Sequence, residues 1–164
     1  MPKRDARITL LLKQADQSFN RRSWHGTNLR GALRNVTAQE AVWRPGPGRR
    51  NIWEYLLHSA YYTYAVARVL EDAKERGTFP RKPSGWPRLP GVPDQKAWAA
   101  DVRLLEEQYQ RFRAALENLD PRKLDQKWGK WTYAEHAFGL ANHDLYHAGQ
   151  IQLLKRLLRA NRKT

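Results

Sequence analysis

The chain contains no cysteine. It therefore forms no disulfide and offers no thiolate nucleophile or sulfur ligand, so any metal it holds must rest on imidazole, carboxylate and water. Long apolar runs are also missing. Ile8 to Leu12 follows Lys3, Arg4 and Arg7 and is broken at Lys13, too short and too soon charged for a secretory core or a membrane span. No membrane association is expected, and the cytoplasm is the default location. There is no GxSxG elbow, GxGxxG, phosphate-cradling glycine loop or HExxH. Period-two alternation, internal repeats and low-complexity tracts are absent as well.

Acidic residues are few, 16 against 30 basic ones, giving a formal charge of +14. Such a surface attracts anions, including nucleic acid, acidic lipid or an anionic cosubstrate. Lys155, Arg156, Arg159, Arg162 and Lys163 crowd the C-terminal end, and Arg44, Arg49 and Arg50 surround Pro45-Gly46-Pro47-Gly48. Basic residues at a helix C-terminus complement its dipole, so nucleic-acid binding stands as the minority alternative.

The 164 residues, 41% hydrophobic with seven tryptophans, suit one domain spanning 1–164. Ile8, Leu11, Leu12, Ala15 and Phe19 fall at helical spacing, and Leu29, Ala32, Leu33 and Val36 resume it after a break near Ser23 to Gly26, predicting a first helix in two pieces. Thr37-Ala38-Gln39-Glu40 is a capping-box sequence. A second helix runs from about Asn51 to Lys74, with Glu54, His58, Tyr62, Ala65 and Val69 on one face. Gly77 to Pro93 holds five of the nine prolines and reads as a long irregular loop. Asp94 caps a third helix with the seam Trp98, Val102, Leu105, Tyr109, Phe112, Leu116 and Leu119, and nothing in it looks catalytic. A fourth helix spans about Thr132 to Ala160. The fold class is all-α, a four-helix bundle with a broken first helix and a long loop between helices 2 and 3.

His143-Asp144-Leu145-Tyr146-His147 is the most informative stretch. Two imidazoles four residues apart on a helix project from one face, and here they interrupt an apolar stripe with Leu140, Ile151, Leu154 and Leu158. Buried imidazoles require a hydrogen-bond partner or a metal to offset lost hydration. An HxxxH pair alone is a weak motif, and a lone core histidine more often donates to a backbone carbonyl. An open catalytic centre takes three protein ligands, and His58 is the best third candidate, with His25 and His136 in reserve. His136 lies two turns from His143, roughly 10 Å by helix rise, too far to share the ion, and suits a pocket wall. Glu54 and Asp144 are natural acceptors for a ligand's far nitrogen, and Tyr62, Tyr146 and Trp24 are pocket candidates.

Four stretches together resemble the DinB-like family of metal-binding helical bundles, which includes bacillithiol-transferase-like proteins. They are Ser23-Trp24-His25-Gly26, Asn51-Ile52-Trp53-Glu54-Tyr55-Leu56-Leu57-His58, Trp86-Pro87, and His143 to Ile151. The resemblance implies a four-helix bundle, often dimeric, with His58, His143 and His147 around a divalent ion. It further implies chemistry with low-molecular-weight thiols. On that reading the ion is Zn²⁺ or Ni²⁺, the partners are a small-molecule substrate, an anionic thiol cosubstrate and a second copy in a homodimer, and the activity is a thiol S-transferase or hydrolase. A non-catalytic metal-binding bundle is the further alternative.

Overall fold

A computed structural model describes residues 5–75 and 77–162, so Lys3, Arg4 and Lys163 of the charge pattern lie outside the described residues. Helices dominate: α1 (Ala6–Phe19), the short α2 (Leu29–Ala32) and α3 (Ala38–Val42), then α4 (Ile52–Leu70), α5 (Gln95–Glu117) and α6 (Tyr133–Asn161). The four long helices form a closed ring of neighbours, α1 beside α5 and α6, α4 beside the same two. This is the all-α bundle expected. Among the described residues no helix is long and apolar enough to cross a membrane.

Local chemistry sets the helix starts. The side chains of Thr37, Asn51 and Thr132 each accept a hydrogen bond from the backbone N–H of a glutamate three residues on, whose carboxylate in turn accepts one from the backbone N–H of the cap. These capping boxes satisfy otherwise orphaned donors of α3, α4 and α6. Asp94 caps α5 from Ala97 N. The first helix is broken as expected, α2 beginning at the Asn28 cap.

Two expectations need correction. α4 ends at Leu70 rather than near Lys74, because Asp72 adopts a left-handed conformation (φ 54°). Aspartate tolerates that region, and its carboxylate there accepts from Lys123 and Tyr133, tying the end of α4 to the start of α6. No glycine or proline marks the stop. Strand pairing, expected nowhere, occurs in a miniature hairpin, β1 (Lys127–Trp128) against β2 (Trp131–Thr132), with Trp128 opposite Trp131. Gly129 at φ 65° makes the turn. Two residues per strand are too few to show alternation.

The most extensive part of the core lies between α4 and α5. Trp53, Leu56 and Leu57 meet Trp98, Leu105 and Phe112, all of them buried, and Trp53 stands edge-on to Trp98 at 5.2 Å. Asp101 of α5 is fully buried among them. It accepts from Trp53 Nε1 at 2.9 Å and from Arg81 at 2.6 and 3.0 Å. The two-point Arg81 contact fixes the long loop between α4 and α5 to the core five residues before Trp86. Asp101→Ala should therefore lower unfolding free energy by about 3 kcal/mol, the scale for breaking a buried ion pair whose arginine still reaches water. Urea denaturation checks it, and a loss below about 1 kcal/mol would contradict this anchoring.

Candidate metal centre

α4 supplies His58 and α6 supplies His143 and His147, and the packing of these helices brings the three rings together. His143 Nε2 lies 3.1 Å from His58 Nε2 and 3.1 Å from His147 Nε2. One ring nitrogen from each residue falls within 4.8 Å of the others. His58 and His147 are only 6% and 4% exposed, whereas the His143 side chain keeps 25%. Access is therefore from the His143 side.

The far nitrogens decide the charge pattern. His58 Nδ1 lies 2.6 Å from the carbonyl oxygen of Gly85. A carbonyl only accepts, so Nδ1 carries the hydrogen and Nε2 presents a bare lone pair. His147 Nδ1 lies 2.6 Å from Gln150 Oε1, and in that amide orientation it too leaves a bare Nε2. His143 Nε2 faces both lone pairs and carries at most one hydrogen, whatever its protonation state. At least one 3.1 Å contact then has no hydrogen between its nitrogens, an unfavourable approach that a cation among the three rings turns into attraction. Nitrogens about 2.0–2.1 Å from one ion at tetrahedral angles lie about 3.3 Å apart, close to both 3.1 Å spacings from His143. The donor set fits a divalent ion.

Aromatic rings wall the cluster. Trp86 stacks on His58 at 3.7 Å and 18°, Tyr62 stands 4.8 Å from His58 and 5.0 Å from His143, and Tyr55 lies 5.2 Å from His147. Arg50 covers the Trp86 ring at 4.3 Å. These walls exclude water from the buried nitrogens and fix ring orientation.

Both acidic candidates sit otherwise than expected. Glu54 touches no imidazole: its carboxylate accepts from Asn51 N at 2.9 Å, Arg44 at 2.7 Å and Arg50 at 2.9 Å. Burial alone would raise its pKa, but these donors outweigh it and hold the carboxyl below the usual range. It acts on the site by placing Arg50 over Trp86. Asp144 Oδ1 lies 3.9 Å from His143 Nδ1, beyond hydrogen-bond reach, and both atoms are buried without a hydrogen-bond partner. Burial lifts Asp144 to about 6, against the pull of His143.

His25 and His136 lie outside the cluster. His25 is exposed after α1, its Nδ1 3.4 Å from Ser23 Oγ, and Trp24 beside it is in full solvent. His136 Nε2 donates to Trp128 O at 3.1 Å, pinning the hairpin to α6. It lines a groove beside His143. Tyr146 is largely exposed, its ring 5.1 Å from His147.

Gly85 escaped the reading of the sequence, and Gln150, Arg50 and Trp86 entered it only within longer stretches, without a role at the site. Gln150 had a signal, lying three residues after His147 on one helix face. A carbonyl such as that of Gly85 has none, although its left-handed φ of 78° suits glycine. Part of the basic excess is spent internally. Lys155 donates to the carbonyls of Ala32 and Arg34 at 2.9 Å each, and Arg162 pairs with Glu40 at 2.9 Å.

Burial lowers His58 and His147 to about 4, so both are neutral at pH 7. In the unfolded chain they titrate near 6.5. On acidification the unfolded state binds these protons first, so metal-free stability is unaffected above about pH 6.5 and falls between there and about pH 4. Asp144, raised to about 6, acts with the opposite sign, since its protonation favours the folded state. The difference isolates the histidines: the urea midpoint of the metal-free protein should fall more between pH 7 and 4.5 than that of a His58→Gln/His147→Gln variant. Parallel curves would contradict the burial assignment.

The family model described as DinB superfamily matches residues 21–151. No curated protein and no solved structure matches the chain. The matched span takes in α2 to α5 and most of α6, with all three clustered histidines. The chain belongs to the DinB superfamily.

Proposed function

We propose that this chain is a divalent-metal-dependent enzyme that uses a low-molecular-weight thiol in S-transfer or carries out hydrolysis, with His58, His143 and His147 as ligands of an open centre. The observation that carries the reading is the pair of bare Nε2 lone pairs directed at His143 Nε2. Imidazole ligation suits several ions, Zn²⁺ and Ni²⁺ foremost. When bound, such an ion supplies Lewis acidity that lowers the pKa of a water or thiol.

The chain's own groups prepare the site for that chemistry. Gly85 O and Gln150 Oε1 hold two ligand rings with their lone pairs inward, as outer partners do in metal centres. Trp86, Tyr55 and Tyr62 keep the ligand nitrogens dry. Arg44 and Arg50 share the single charge of Glu54, leaving a net positive charge on the Trp86 rim that favours an anionic thiol cosubstrate. A cytoplasmic setting and a homodimer belong to the same reading.

Elemental analysis of gently purified protein should find about one divalent ion per chain, and His143→Ala should lose both the ion and turnover with small thiols. Chelation should lower the melting temperature of the wild type by about 5–10 °C, the effect of removing a ligand present at a hundredfold its Kd, and leave His143→Ala unmoved. Full metal content in that variant would overturn the ligand set.

A further inference from the structure

Beside the three histidines a groove of about 680 Å³ runs along α6, between α4 and the hairpin. Its walls include Tyr62, Val66 and Val69 from α4, Trp131 from β2, and Phe138 and Leu140 from α6. Trp131 and Phe138 are each 50% exposed, unusual for such large apolar rings. One end is His143, the most accessible ring of the cluster, and Tyr62 forms a wall of both the groove and the centre. The other end is Glu135 and His136, about 10 Å away by helix rise.

Charge narrows the occupant. The protein carries +14, and four other surface pockets each include at least two lysines or arginines. None of this groove's lining residues is basic and its one charged lining residue is Glu135; the nearby Lys130 lies with its Nζ 5.1 Å over the Trp131 ring. An anion finds no basic partner in this lining, whereas a neutral aromatic body buries its faces against Tyr62, Trp131 and Phe138. We infer that the groove binds the second substrate of the centre, an uncharged, largely aromatic molecule about 10 Å long that presents a lone-pair atom at the His143 end. The inference rests on the metal reading above and adds a division of labour. The Arg50 rim takes the anionic partner and the α6 groove takes the neutral one.

Gly139 allows a clean test. It lines the groove, and a Cβ built on it meets nothing within 4 Å, so Gly139→Leu fills the groove while favouring the helix. Gly149, equally open and ten residues further along α6, lies outside the groove lining, and Gly149→Leu is the control. On cobalt-loaded protein, followed by its visible absorption, 4-phenylimidazole should bind at least tenfold more tightly than imidazole. Gly139→Leu should erase that advantage without changing cobalt or imidazole binding, Gly149→Leu should retain it, and a carboxylate on the phenyl ring should weaken binding.

A metal-free arm separates the two readings. The neutral fluorophore N-phenyl-1-naphthylamine should brighten with the wild type and with Gly149→Leu, not with Gly139→Leu. If it does so in a protein that takes up no cobalt, the groove stands and the metal reading fails. If cobalt binds but neither probe distinguishes Gly139→Leu from the wild type, the groove inference falls and the metal reading stands. A wild-type dimer split by Gly139→Leu, with neither probe bound, would assign the groove to a second copy and overturn the inference.

Discussion

Two buried lone pairs aimed at a third ring nitrogen are the constraint around which this bundle is organised. Gly85 fixes the proton of His58 on the outer nitrogen and Gln150 does the same for His147, so His143 Nε2 cannot satisfy both neighbours. Nothing in an apolar interior offsets that deficit as directly as a cation, because the dielectric that weakens charge interactions in water is missing there. The same burial that makes the arrangement costly without an ion keeps His58 and His147 unprotonated at pH 7. Neutral imidazole is the form that ligates.

Holding such an arrangement requires structure well beyond the two helices that bear the rings. The long loop between α4 and α5 reaches His58 through Gly85 O and the stacked Trp86 ring. That loop is fastened at Arg81 to Asp101, which also receives the Trp53 indole in the core. From the other side Glu54 sets Arg50 over Trp86. The helix start, the loop and the bundle core thus converge on the orientation of one imidazole. The least buried ring of the three, His143, opens onto an apolar groove whose lining holds none of the basic residues found in four other surface pockets.

Much of this was legible in the sequence because it depends on period and local chemistry. The apolar seams, the Thr37 capping box, the Asp94 cap and the break near Ser23 to Gly26 are short-range signals, and they placed the long helices. His143 and His147 were readable as neighbours because four residues make nearly one turn. The end of α4 was hidden because Asp72 stops the helix through partners 51 and 61 residues away. The hairpin was hidden by its brevity. Glu54 read as a partner for an imidazole because it sits one turn before His58. Its competing duties, the cap and two guanidinium groups, come from residues whose approach only the fold determines. Backbone oxygens such as that of Gly85, and the seating of a loop tryptophan on a histidine, leave no mark in residue type alone.

The central claim is that one ion is held by three imidazoles and leaves room for a further ligand. X-ray absorption at the zinc edge of zinc-loaded protein measures this most directly. The account predicts a first shell of nitrogen and oxygen at about 2.0–2.1 Å, with outer-shell scattering from three imidazole rings. A first shell with one imidazole or none would contradict it.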